Sequence, residues 1–565
     1  MIATEYFNPS DSEGNQKLIH LSSGVELSDD ITKSILSLPS VGQELHEEFR
    51  KTRLLSTSVS FHHKLTRVKR LSFSDPLSRK QTTKKLKGDK TISKDILGHL
   101  HALSVSESTA IDYQDALQYP LSQIPLSLAN SDGTMRKTTK STFKSIILGN
   151  SYFSTSANAT GTVIIDLIAL CHQLVNIPDR YDKIYAFLIS MVKKIICDVD
   201  RVDFVADNYT VYVSPIKKGE HAARGESNSI IIKSLTCKTA ANFKERILRN
   251  PTNKTRLVEL FIEYVTKNSK DVRKQLGCTT IYISAEGRCH KFTEKETTDY
   301  PQLESNQPEA DTRLILHARD ALQTTDSEVY IYSPSADTDV VVLCVALLHD
   351  EKTRVHIIDG SGKRSRVYKL SDITVDEEVS NALIGLYAFT GNDFVSSLFG
   401  IGKVKAYKQM MSDRKHLNLF SGLGESIDQF TIEKQLEWVE AFVCKLYSEK
   451  QCNTVNEARY ELFKRKLVKN KTVSLSKIPP CKSVLKLHLS RSAYVAYLWR
   501  RSQENQIELP PIDEYGWFLD GNIVWTDEEI FPTTVAKYIE VEDEHMYDDE
   551  NDDIYSETES DDDEI

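Results

Sequence analysis

The sequence lacks any apolar run approaching the roughly 18–20 residues needed to span a bilayer; the longest, Val340 to Leu348, covers nine. No membrane partner is therefore expected. The first thirty residues carry Glu5, Asp11 and Glu13 and no apolar stretch, which excludes the pattern of a secretory signal. The nine cysteines (171, 197, 237, 278, 289, 344, 444, 452 and 481) form no CxxC pair, and zinc-finger spacing is missing. An odd, scattered set of thiols without a signal predicts reduced cysteines in an intracellular protein. No P-loop is present, so no nucleotide-driven engine is expected.

What is present is segregated charge. The formal net charge is -10, but residues 541–565 hold fourteen Asp or Glu and no Lys or Arg. Setting that tail aside leaves 71 basic residues against 67 acidic ones. Residues 50–90 carry thirteen Lys or Arg against Asp75 and Asp89, in KLTRVKR (64–70) and RKQTTKKLK (79–87). Such a stretch is ordinarily a solvated linker; it also matches a bipartite nuclear-import signal or a phosphate-binding arm. The mean charge is thus no argument against a polyanionic partner.

Four regions follow from composition: an N-terminal extension over 1–150, an α/β domain over 151–445, a mixed region over 446–540 and an acidic tail over 541–565. In the first, Ile31, Ile35, Leu38, Leu45 and Phe49 predict a helix between Ser28 and Leu55. From about residue 160, apolar β-branched runs end on carboxylates. GTVIIDLIALCHQL (161–174) reaches Asp166, and RVDFVADNYTVYV (201–213) reaches Asp207. GCTTIYIS (277–284), EVYIYSPSADTDVVVLCVALL (328–348) and RVHIIDG (354–360) predict three more strands, the second leading to Asp337 and Asp339. Helical sequence separates them, as in EADTRLILHARDAL (309–322). Alternating short strands and helices predict an α/β fold: a mostly parallel twisted sheet with helices on both faces and less regular extensions. Active sites in such sheets lie beyond the carboxyl ends of the strands. The C-terminal region predicts a helix over 489–502, with Tyr494, Tyr497 and Trp499 packing the core, and a short strand at Asn522–Trp525 after a Gly516-Trp517 turn.

An isolated Asp after an apolar run is ordinarily a helix cap. Here Asp166, Asp207, Glu309, Asp311, Asp337, Asp339 and Asp393 form a set, and the set needs compensation by cations. Ligation by oxygen alone, without His or Cys, points to Mg²⁺ or Mn²⁺ rather than zinc. Two such ions about 4 Å apart suit phosphodiester hydrolysis. A second motif is Gly400-Ile401-Gly402-Lys403, preceded by Gly391-Asn392-Asp393-Phe394. A Gly-x-Gly turn lets backbone N–H groups approach a phosphate at the following helix, where Lys403, Lys405 and Lys408 stand.

In this order the residues resemble the PIN-like nucleases of the flap endonuclease and XPG type, over about residues 160–415. The chain as a whole also looks like a set of uncharacterised animal proteins with a PIN-like domain. The resemblance rests on VIIDLIAL, FVADNY, EADTRL, SADTDVVVL and GNDF before GIGKVKA. It implies a helix-hairpin-helix near 391–410 that grips duplex backbone through Gly400, Gly402, Lys403, Lys405 and Lys408. In IKKGEHAAR (216–224) it implies that Lys217 and Arg224 draw the scissile phosphate toward two Mg²⁺ or Mn²⁺ ions. Two departures stand out: about 150 residues precede the domain, and Glu309-x-Asp311 replaces the usual Glu-x-Glu.

The expectation is a nuclear, monomeric, structure-sensitive nuclease acting on flap, branched or single-stranded DNA. The alternatives are an inactive nucleic-acid-binding or scaffolding protein of the same fold and an RNA-directed ribonuclease of the wider PIN class.

Overall fold

The computed structural model describes residues 19–20, 25–26, 37–55, 111–155, 158–208, 232–334, 337–468, 474–526 and 529–533. The chain divides into two compact units: Met1–Ala116 with Phe463–Leu475 and Phe531–Ile565, and Leu117–Leu462 with Ser476–Ile530. In the first, the helix Leu38–Phe49 continues as a π-turn over Arg50–Leu54 and buries no side chain. Elsewhere in that unit the Tyr113 and Phe463 rings lie 5.0 Å apart. Residues 28–36 of the expected helix, most of the basic segment 50–90 and the acidic tail lie outside the described residues.

The second unit is built on one eight-stranded sheet. Its strands are β1 (Ala159–Asp166), β2 (Ile196–Val205), β3 (Thr280–Ala285), β4 (Arg288–Phe292), β5 (Thr297–Asp299), β6 (Val329–Ser333), β7 (Val355–Asp359) and β8 (Arg366–Lys369). They lie in the order β8-β7-β6-β1-β2-β3-β4-β5. The five central strands are parallel, with β8 on one side and β4 and β5 on the other added antiparallel. The expected α/β sheet is present. The antiparallel edges were not foreseen, because RCHKF and RVYK are short and carry charge.

Period-two alternation sets the layers. In β1, Val163 and Ile165 join one core, with Val202, Phe204, Ile281 and Ile283, while Ile164 joins the other, with Val329, Ile331 and Ile357. The first face is covered by α2 (Leu167–His172), α3 (Tyr181–Lys193) and α4 (Pro251–Leu276). The second carries α1 (Ser141–Leu148), α5 (Ala310–Thr324), α6 (Thr338–Leu347), α7 (Glu377–Phe389), α8 (Lys403–Met411), α9 (Arg414–Gly422), α10 (Gln429–Leu446) and α11 (Lys482–Arg500). Gly161 has φ +68 where β6 comes closest, and a Cβ there would stand 2.6 Å from the Glu328 carbonyl oxygen.

This unit is wider than the span 151–445 read from composition. Residues 127–136 clamp the loop after α7: the Ser127 carbonyl accepts from Phe399 N–H at 2.8 Å, and the Arg136 carbonyl accepts from Ser397 N–H at 2.9 Å. From the other end, α11 buries Tyr494 and Trp499 against the same core, as the sequence predicts. Asn522–Trp525 is not a strand; one bridge joins Trp517 to Ile523, because the positive-φ Gly516 and Gly521 turn the chain too tightly for a ladder.

A buried polar chain ties β2, β3 and α5 together. Arg201 clasps Asp203 at 2.7 Å and Asp320 at 2.6 Å, and its guanidinium stacks on the Tyr282 ring. Asp203 Oδ2 meets His317 Nδ1 at 2.7 Å, and His317 Nε2 meets Ser284 Oγ at 2.7 Å. This Ser–His–Asp connectivity is that of a hydrolytic triad, yet all three residues are 0% exposed. No substrate reaches it, and its role is to join the layers. Burial would raise the Asp203 carboxyl, but Arg201 and His317 together hold it below the usual range.

Candidate metal centre

The parallel strands run outward from β1 in both directions, so the order reverses between β1 and β6. Crevices form at the carboxyl ends of strands at such a switch point. Asp166 ends β1 and caps α2, accepting the Ala169 N–H at 2.8 Å. Asp337 caps α6 beyond β6 and accepts the Asp339 N–H at 3.1 Å. Asp207 lies just past β2, and its Oδ1 accepts the N–H of Ala310, the first residue of α5, at 2.7 Å. The ordinary capping role and a place at the crevice therefore coexist in three residues.

Asp311 stands in the first turn of α5 and Asp339 in the first turn of α6. One carboxylate oxygen from each of Asp311, Asp337 and Asp339 lies within 4.8 Å of the others. The positive ends of α5 and α6 offset part of this charge. The offset is incomplete. Burial, then Asp337, Glu309, Asp339 and Asp166, push the Asp311 carboxyl well above its usual value. Burial and Asp339 push Asp337 up to about 6, and burial and Asp207 push Asp166 up to about 7. Glu309 also reaches the cluster electrostatically, while its Oε2 accepts from Trp499 Nε1 at 3.4 Å.

Asp339, only 6% exposed, receives the Tyr387 hydroxyl on Oδ1 and the Lys140 ammonium on Oδ2, the latter at 2.8 Å. Lys140 also reaches Asp393 Oδ1 at 3.2 Å, and Lys137 stands 3.8 Å from the same oxygen. Burial works against the Lys140 charge, but Asp339 and Asp393 outweigh it and raise its pKa. Nearby, Lys144 holds both oxygens of Asp359 at the end of β7 at 3.0 Å.

Of the seven expected acids, the structure brings Asp311, Asp337 and Asp339 within 4.8 Å of one another, and the neighbouring bases were not read from the sequence. Lys140 and Lys144 lie in a Ser-, Thr- and Lys-rich stretch with no periodic signal, and Tyr387 looks like ordinary helix core. Asp359 had a signal: RVHIIDG ends on an Asp like its neighbours. Lys217 and Arg224 lie outside the described residues.

One expected surface lysine is corrected. Lys403 is 1% exposed, and its ammonium donates to the Tyr387 carbonyl at 2.9 Å and to Thr390 Oγ1 at 3.0 Å over the Tyr387 ring. Burial drives its pKa well down. The cause is helix phase: Lys403 falls on the face of α8 that carries Ala406 and Met410 into the core, so it cannot grip a backbone. Gly400, Gly402, Lys405 and Lys408 are exposed. The segment 391–402 between α7 and α8 is irregular.

The donors in the cluster are all hard carboxylate oxygens, and no Lys or Arg among the described residues forms an ion pair with Asp166, Asp311 or Asp337. Such a set fits a hard divalent ion. A pH dependence follows. Unfolded aspartates release their protons near the ordinary value of 3.8, whereas Asp337 and Asp166 hold theirs to about 6 and about 7 when folded. Between those limits the folded chain binds more protons than the unfolded one, so metal-free stability falls as pH rises from about 4 to about 7. Urea midpoints measured in chelator across this window should show the fall, and added Mn²⁺ should oppose it at the upper end.

Fold and site together define an α/β protein with a mostly parallel sheet and an acidic cluster at its switch point. Compared with known protein families and with curated proteins, the chain matches none. No helix among the described residues is long and apolar enough to cross a membrane.

Proposed function

We propose that the protein is a metal-dependent nuclease of the PIN-like, flap-endonuclease type that hydrolyses phosphodiester bonds in DNA. The observation that carries this reading is the convergence of Asp311, Asp337 and Asp339, from two helix N-termini, within 4.8 Å at the switch point of a mostly parallel sheet. Asp311, Asp337 and Asp339 would hold Mg²⁺ or Mn²⁺, with Asp166, Asp207, Glu309 and Asp393 around them. When bound, such an ion polarises a phosphoryl oxygen and acidifies water. The chain's own groups do the rest. Asp166, Asp207 and Asp393 complete the ligand and water shell and orient the attacking water. Lys217 and Arg224 neutralise the phosphate, and Lys405 and Lys408 on α8 contact the backbone without reading sequence.

A depression of about 540 Å³ on the same edge of the sheet supports a single-stranded substrate arm. It is lined by Phe153, Arg364 and Arg366, with the Arg366 guanidinium 4.7 Å from the Phe153 ring. Aromatic faces and guanidinium groups together accept a strand without regard to sequence. The basic segment 50–90 would carry the protein to the nucleus. The test is cleavage of flap, fork and single-stranded substrates, each as DNA and as RNA, with Mg²⁺, Mn²⁺ or chelator. Metal-dependent cutting of DNA flaps is expected. Cutting confined to RNA would move the protein to the ribonuclease class, and no cutting with either metal would leave only the binding reading.

A further inference from the structure

The geometry points to Lys140 as a built-in second cation: its ammonium takes the place between Asp339 and Asp393 that a second divalent ion would fill, so the centre binds one divalent ion. This rests on the reading of the cluster as a metal centre and changes its stoichiometry from the two ions that the resemblance implies.

Three observations carry it. Lys140 Nζ bridges carboxylates from separate elements, Asp339 in the first turn of α6 at 2.8 Å and Asp393 beyond α7 at 3.2 Å. Its position is set by the fold. Lys140 immediately precedes α1, which packs on α6 and α8, and Phe143 of α1 is fully buried with its ring 5.6 Å from Tyr387 and 5.7 Å from Tyr407. The positive charge is also confined to one side. Asp339 and Asp393 are paired with lysine, whereas Asp311 and Asp337 form no ion pair among the described residues.

Asp339 serves both sides. Tyr387 donates to one of its oxygens and Lys140 to the other, and a carboxylate oxygen that accepts one such bond keeps a second lone pair. One Asp339 oxygen lies within 4.8 Å of an oxygen from each of Asp311 and Asp337. A fixed ammonium differs from a second ion in that it cannot dissociate or exchange. Phosphate neutralisation on the Asp393 side would then not depend on metal concentration.

The test counts ions rather than turnover. The full-length protein is stripped with chelator and loaded with Mn²⁺, and bound ions are counted by native mass spectrometry and by the loss of free-Mn²⁺ paramagnetic resonance signal. One ion per chain is expected in the wild type, two in Lys140→Met, and one in Lys140→Arg, which keeps the charge. Should the methionine variant fail to fold, Lys140→Gln replaces it, with the same expected gain of an ion. Two ions in the wild type, or one in a folded Lys140→Met or Lys140→Gln protein, would overturn the inference and leave the metal centre standing. No bound ion in any of them would overturn both.

Discussion

Asp311→Asn is expected to lower metal-dependent cleavage on the order of a thousandfold while raising the melting temperature of the metal-free protein. The two effects share one cause. Asp311 sits among Asp337, Glu309, Asp339 and Asp166 in a crevice that burial makes poorly screening. At an effective dielectric near 20, each like charge about 5 Å away opposes its ionisation by roughly 3 kcal/mol. The carboxylate's favourable interaction with the α5 N-terminus is worth only about 0.3–1 kcal/mol, so repulsion wins. The amide keeps the shape and removes the charge. Because Asp311 already relieves part of the repulsion by holding its proton, the net gain should be roughly 0.5–2 kcal/mol, a few degrees in a unit of this size. Loss of a metal ligand costs the rate. Thermal melts in chelator with cleavage assays in Mn²⁺ separate the possibilities. Lower stability together with lower activity would make Asp311 a structural residue, and unchanged activity would remove it from the ligand set.

Arg201→Met should be the most destabilising single change in the sheet, at about 3–5 kcal/mol. Arg201 makes a bidentate clasp on Asp203, with Nε 2.8 Å from Oδ1 and Nη2 2.7 Å from Oδ2, and reaches Asp320 with Nη1. Methionine fills much of the volume but leaves Asp203 ionised, at 0% exposure, against His317 alone. Burial lowers the His317 pKa, so the ring is a poor replacement cation. Removing both charges in Arg201→Met/Asp203→Leu should recover part of the loss, since an apolar pair is less costly than a lone buried charge. Urea midpoints of the two variants test this. A double variant less stable than Arg201→Met would show that the ion pair itself, rather than the stranded carboxylate, carries the energy.

Much of the fold was legible because local patterns repeat. VIIDLIAL and EVYIYSPSADTDVVV each show a β-branched run followed by a turn to helix, and such runs form parallel strands buried on both faces. The edges were less legible. RCHKF and RVYK mix charge with apolar residues and pair only because neighbouring strands offer open hydrogen bonds. In the C-terminal region, Tyr494 and Trp499 were readable as core, but nothing local says that Trp499 reaches Glu309.

The candidate site divides in the same way. Asp166 and Asp337 cap the helices that follow them, and such a cap is a local event that a strand-to-helix junction reveals, whereas Asp207 meets the start of α5 across 103 residues. Lys403 shows the limit of that reading. Its place after Gly-x-Gly suggested a phosphate contact, and only the packing of α8 decided that its ammonium faces Tyr387.

By itself, then, the sequence determined the α/β alternation and the carboxylates at the strand ends, because both follow from residues within a few positions of one another. The tertiary structure alone decided the cations. Lys140 meets Asp339 across 199 residues and Asp393 across 253, and Lys144 meets Asp359 across 215. Such pairs depend on how α1 docks on α6 and α8, a matter of side-chain packing between distant segments that no local pattern encodes. Lys140, from a stretch that looked like an irregular extension, sets how much charge the acidic cluster leaves for an ion to neutralise.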